Sequence, residues 1–310
     1  MKTFGIFACG FLLVSGIAWA EPLRVVATTG MVADMVRNVG GDRVEVTALI
    51  GEGVDPHLFK PTRDDVARLL KAQAIFANGL KLEGRLEDTF QKVAARGIPV
   101  HSVGQSIPAD RLIAEGNHPD PHIWMDPALW AECIAGVRDA LVKVDPEGTA
   151  TYGANATRYA AELAELDSYV RRVIASIPKE QRVLITAHDA FHYLSRATGL
   201  EVLGIQGIST ESEAGVSDIN RLVDEVVNRK IPAIFVETSV PDKNVRAVLE
   251  GAAARGFQMK MGGELFSDAM GPAGTYEGTY MGMIDHNATT IARALGGEAP
   301  PGGLHGRLNP

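Results

Sequence analysis

Cysteine is almost missing from this chain: 310 residues hold only Cys9 and Cys133. Cys9 falls in an apolar leader, so the mature chain is expected to keep one cysteine and form no internal disulfide, and packed cores must supply its stability. Cys133 repeats with Leu129, Val137 and Leu141 at helical spacing, which makes it a small buried hydrophobe rather than a ligand. Beyond the leader there is no apolar run of the ~20 residues that a bilayer span requires. Positive charge is also short. With Lys2 removed, 29 basic residues face 38 acidic ones, a balance that suits neither nucleic acid nor anionic lipid. His-Glu-x-x-His, Cys-x-x-Cys and Gly-x-Ser-x-Gly are all absent, which removes the commonest signatures of zinc proteases, thiol metal sites and serine hydrolases.

The first residues read as an export signal. Met1-Lys2 gives a positive start, 6–17 an apolar run, and Ala18-Trp-Ala20 a small-x-small cleavage site. Residues 1–20 are therefore expected to leave, with a soluble mature chain starting near Glu21 in the periplasm. Cys9 has almost no apolar segment before it, so no lipid anchor is expected.

From Glu21 the hydrophobic pattern alternates between strand and helix. Strands are expected over 23–28, 44–50, 74–77 and 99–103. Helices are expected over 31–39, 64–72 (capped by Thr62) and 86–95. The rhythm resumes with strands over 182–186, 202–205 and 233–237 and helices over 219–229 and 243–255. This is the alternation of parallel sheets covered by helices, and about 290 mature residues are enough for two lobes. The fold class is thus α/β, with one lobe over 21–145 and another over 178–310. Between them Tyr152, Ala156, Tyr159, Leu163, Leu166, Val170, Val173 and Ile177 recur at steps of four and three. One helix over 146–177, roughly 45 Å long, would carry them on a single stripe and bridge both lobes. A dimeric coiled coil would show the same spacing, but alanine and two tyrosines make poor seam residues.

Candidate ligands come from eight histidines. His57, His122 and His188 sit where strands give way to loops or helices, the edge at which α/β sheets present ligand groups. Their spacing alone does not separate a metal site from half-buried histidines satisfied by the backbone. His188 and His192 are four apart, as in zinc proteases, but Asp189 stands where the catalytic glutamate would be. Asp189, Glu237 and Asp126 are candidates to support ligand rings, although Asp126-Pro127 also reads as a helix cap followed by proline.

Gly53-Val-Asp-Pro-His57, Asp120-Pro-His-Ile-Trp-Met-Asp-Pro127, Thr186-Ala-His-Asp-Ala-Phe191, Gly207-Ile-Ser-Thr210 and Gly263-Glu-Leu-Phe-Ser-Asp268 occur in that order. Together, and over essentially the whole mature chain, they resemble the TroA-like family of zinc- and manganese-binding receptors of ABC importers. The resemblance implies two lobes bridged by a rigid helix, no enzymatic activity, an importer permease as partner, and a monomer. It also implies one cargo ion held by His57, His122, His188 and Asp268. Three imidazoles and a carboxylate suit zinc, and suit manganese if both carboxylate oxygens bind; ferrous iron ranks behind both. Histidine at the third position leans toward zinc. The short 115–121 loop and the missing disulfide lean back toward manganese. Some relatives are adhesins, and an exported surface protein with incidental metal binding is the alternative.

Overall fold

The computed structural model describes residues 21–308, so the expected signal peptide over 1–20, with Cys9, lies outside the described residues. The first lobe runs β1 (Leu23–Ala27), α1 (Gly30–Gly40), β2 (Val44–Ala48), α2 (Arg63–Lys71), β3 (Ala74–Ala77), α3 (Glu87–Ala94) and β4 (Val100–Ser102). A small hairpin, β5 (Ala114–Glu115) and β6 (His118–Pro119), precedes α4 (Pro127–Val144) and the long α5 (Thr149–Ala175). The second lobe runs β7 (Val183–His188), α6 (His192–Thr198), β8 (Glu201–Gln206), α7 (Val216–Arg229), β9 (Ala233–Glu237), α8 (Lys243–Ala254), β10 (Lys260–Leu265) and α9 (Tyr280–Ala294). Among the described residues no helix is long and apolar enough to cross a membrane.

All pairings in the first sheet, ordered β2-β1-β3-β4, are parallel. In the second lobe β7 pairs with β8 and β9 with β10, also parallel, and β7 lies alongside β9. Period-two alternation divides each strand between two cores. Ala74 and Phe76 face the central core while Ile75 and Ala77 face an outer one with Leu69 and Phe90, under α2 and α3. Phe235 and Leu184 likewise turn to the centre, while Ile185 and Ile234 turn outward to Val226 and Val248 of α7 and α8. Between the sheets, α1, α4, α5 and α9 fill one shared core.

Local chemistry sets the helix ends. Thr62 and Asp65 form a reciprocal capping box on α2. Asp126 accepts from the amides of Ala128 and Leu129 with Pro127 at the first helical position, so it is a cap and supports no ligand ring. The long helix is shorter than its apolar stripe suggested: residues 146–148 form a 3₁₀ turn ahead of it, and Ile177 lies two residues past its end. All eight stripe residues are nevertheless buried within this single chain, leaving no exposed coiled-coil seam. With 27 residues the helix is about 40 Å long. Tyr159 fastens it to Asp34 of α1 at 3.0 Å, and Tyr169 fastens it to Thr289 of α9 at 2.6 Å. It is thus bolted to both lobes.

Candidate metal centre

The four candidate ligands converge. His57 sits between β2 and α2, His122 before α4, His188 at the last residue of β7, and Asp268 just beyond β10. All are buried, and one ligand atom from each lies within 4.8 Å of the others. His57 Nε2 is 3.3 Å from His122 Nε2 and 3.5 Å from Asp268 Oδ2. His122 Nε2 lies 3.3 Å from Asp268 Oδ1, and His188 Nε2 lies 3.2 Å from Asp268 Oδ2. A tetrahedron with bonds of 2.0–2.1 Å has edges of ~3.3–3.4 Å, and these distances bracket it. His188 Nε2 and both Asp268 oxygens are buried without a hydrogen bond of good geometry. Such orphaned atoms are expensive unless something else satisfies them, and all three face the same point.

Two of the rings are held from behind. Asp120 Oδ1 lies 2.8 Å from His122 Nδ1 and accepts from the His122 amide at 2.9 Å. Glu237 Oε2 lies 2.6 Å from His188 Nδ1, and Oε1 accepts from the His188 amide at 2.9 Å. A carboxylate behind each ring directs Nε2 toward the metal position. Glu237, one of the three carboxylates singled out in the sequence, thus backs the ring of a candidate ligand. Asp189 instead accepts from the Gly204 amide and lies 3.7 Å from His192, touching no ligand ring. His192 begins α6 rather than sharing a helix face with His188, and its Nδ1 lies 3.2 Å from Asp120 Oδ2.

Several supporting groups escaped the sequence reading. Asn78 at the end of β3 donates to the Pro121 carbonyl at 3.1 Å. The Tyr193 hydroxyl donates to the Asp120 carbonyl at 2.8 Å. Trp124 crosses between lobes, donating its indole N–H to the Ser267 carbonyl at 2.9 Å while its own carbonyl accepts from Tyr280 at 2.7 Å. The only available cue was that Asp120 and Trp124 lie inside the motif around His122.

Charge in the centre is balanced by protons. Burial opposes charge on His122, but the Asp120 and Asp268 carboxylates outweigh it and push its pKa up to about 9. His188 is raised for the same reason: Glu237 and Asp268 overcome its burial. Burial works against the Asp268 carboxylate, yet the two imidazolium rings hold it well below the usual carboxylate range. His57 differs, because burial drives it down to about 4. At neutral pH the metal-free centre therefore carries protons on His122 and His188 but not on His57. A divalent ion displaces about two protons and leaves the buried charge unchanged.

Raised histidines lose their protons as pH rises, so binding should strengthen by up to about two decades per pH unit until His122 titrates near 9, and weaken as pH falls. Chelator competition at about pH 6 and about pH 8 reads the slope, and calorimetry in buffers of different ionisation enthalpy counts the protons. A flat profile would remove His122 and His188 from the ligand set.

Two lobes clasping a buried cluster of three imidazoles and a carboxylate have the arrangement of a solute-binding receptor. The family profile described as the periplasmic component A of the zinc-uptake complex, ZnuA, matches residues 25–294, and the chain belongs to that family. It is 47% identical over 276 residues to the zinc-binding protein TroA of Treponema pallidum, covering 89% of each chain. It is 42% identical over 295 residues to the manganese-binding lipoprotein MntA of Bacillus subtilis, covering 94% of this chain and 96% of that one. The solved structure of periplasmic zinc-binding TroA from Treponema pallidum superposes with a TM-score of 0.86 at 45% identity, covering 88% of this chain and 99% of the other.

Proposed function

We propose that this protein is an exported receptor that holds one divalent transition metal between His57, His122, His188 and Asp268 and delivers it to the permease of an ABC importer. In this reading residues 21–145 and 178–310 act as the two lobes and 146–177 as their link. The observation that carries it is the convergence of four buried ligand atoms within 4.8 Å of one another, with His188 Nε2 and both Asp268 oxygens lacking a hydrogen-bond partner among the described residues. Cargo is zinc or manganese. TroA is named for zinc and MntA for manganese, and this site's chemistry accommodates both: three imidazoles favour zinc, and two free carboxylate oxygens permit the wider coordination of manganese. Because zinc normally wins on raw affinity, the physiological cargo must be read from protein taken from its native compartment. Elemental analysis of such protein should find about one zinc or manganese per chain, lost in His188→Ala. Wild-type protein that is metal-free and also refuses both added metals would overturn the proposal.

The mature chain is proposed to begin near Glu21, free in the periplasm without a lipid anchor and as a monomer. Ala18-Trp-Ala20 supports the cleavage position, and burial of the α5 stripe inside the chain supports the monomer. MntA of Bacillus subtilis is named a lipoprotein, so the anchor must be tested directly. The intact mass of exported protein should equal the unmodified polypeptide from Glu21, whereas a diacylglycerol adduct at Cys9 would reverse this.

A further inference from the structure

Asp268 is fixed in a different way from His122 and His188. Those two rings each have a carboxylate behind them, Asp120 and Glu237. The Asp268 side chain has no such brace: it is buried, and among the described residues neither of its oxygens has a hydrogen-bond partner. It also lies past the end of β10, where the pairing with β9 has stopped. Yet Oδ1 stands 3.3 Å from His122 Nε2 while Oδ2 stands 3.2 Å from His188 Nε2, so both oxygens face the cluster. The direction of this carboxylate is therefore set by the main chain that carries it.

Two side chains from other elements hold that main chain. Asn287 of α9, 3% exposed, spends its whole amide on one residue: Oδ1 accepts from the Phe266 amide at 2.9 Å, and Nδ2 donates to the Phe266 carbonyl at 2.7 Å. The Thr238 amide bonds the Leu265 carbonyl one residue earlier. A primary amide offers the same donor and acceptor as a peptide group, so Asn287 adds one more rung where no strand is available. Ser267, which comes next, is fully buried; its carbonyl accepts from the Trp124 indole at 2.9 Å and its hydroxyl lies 3.1 Å from that of Ser239. Each residue from 265 to 267 is thus pinned by a hydrogen bond, and Asp268 follows with little freedom to turn.

How much a turn would matter depends on the ion. Zinc completes a tetrahedron with three imidazoles and one carboxylate oxygen, and ligation through one oxygen survives rotation about that bond. Manganese favours oxygen donors and a higher coordination number, which these four side chains supply only when both Asp268 oxygens bind at once. We infer that Asn287, together with the Trp124 indole, is the positioning residue that keeps both oxygens of Asp268 on the metal, and so sets how well manganese competes with zinc. This inference rests on the receptor reading above.

The test is the ratio of zinc to manganese affinity of the full mature chain, with zinc read by chelator competition and manganese by loss of the free-ion EPR signal. Asn287→Ser removes the amide; it should weaken manganese binding at least about tenfold, the range for groups behind a ligand, and zinc binding less than about threefold, because one oxygen suffices. Trp124→Phe keeps an aromatic ring and removes the donor. It should move the ratio in the same direction, and it carries the test alone if Asn287→Ser does not fold. In an Asp268→Ala background either substitution should alter the ratio by less than about twofold, because both act only through that carboxylate. A general loosening of the fold would instead weaken both metals alike. Wild-type protein that binds neither metal would sink the receptor reading and this inference with it. Wild-type binding with an unaltered ratio in the folded variants, or a shift that persists without Asp268, would sink the positioning role alone.

Discussion

Asp268→Ala is expected to cost the largest share of metal affinity of any single substitution. This carboxylate is the one anion in the proposed ligand set, it presents both oxygens to the cluster, and it lies within 3.5 Å of all three imidazoles. Removing a group that merely supports a ligand costs ~10–100-fold in affinity. The loss of Asp268 should exceed about 100-fold, and Glu237→Gln should fall inside the supporting range. A second readout separates electrostatics from simple ligand loss. Without Asp268 the histidines lose one of the charges that keep them protonated, so proton release per metal should fall below about two. Isothermal titration measures both quantities. An alanine variant that binds zinc as tightly as the wild type would exclude Asp268 from the site.

The largest effect on stability is expected at Leu166, fully buried near the middle of α5 and part of the core shared by both sheets. Leu166→Ala leaves a cavity among rigid neighbours, and such truncations cost about 2–5 kcal/mol. The adjacent Glu165 points outward, within 3.9 Å of His305 in an exposed pair, and Glu165→Ala should lie within about 0.5 kcal/mol of wild type. Urea titrations should be run with chelator present, because bound metal stabilises the native state by mass action. A Leu166 loss below about 1 kcal/mol would mean that the interior around α5 collapses to fill the space.

Legibility in the sequence followed the physics of each element. The strand over 74–77 and the stripe of α5 were visible because one face of each differs from the other or because the run is uniformly apolar and short. Two elements near the end of the chain were not visible. In β10, Met261-Gly-Gly263 reads as a turn, yet Gly262 lies so close to the Phe235 ring that a Cβ would approach it to 2.6 Å, and the strand carries an irregularity there. In α9, buried residues occur all round the helix, polar Asp285, Asn287 and Thr289 among them, so no stripe marks it. Convergence of the ligands could not be derived from spacing. His57 and Asp268 are brought together by the packing of both lobes, which no local pattern encodes, and only the ordered set of motifs pointed to it. Asp120 was in plain view within one of those motifs, but its role depends on the turn that carries its carboxylate behind the His122 ring.

The shared central core sets how this molecule comes apart. Neither sheet closes its inner face alone: Phe76 from one side and Phe235 from the other belong to one core with residues of α1, α4, α5 and α9. An excised lobe would bare that face to water, so the chain should melt as one cooperative block, not as two modules in sequence. An ion held by the four proposed ligands should therefore raise the midpoint for helices as distant as α2 and α8, and amide exchange in those outer layers should slow on metallation although those helices supply none of the four side chains.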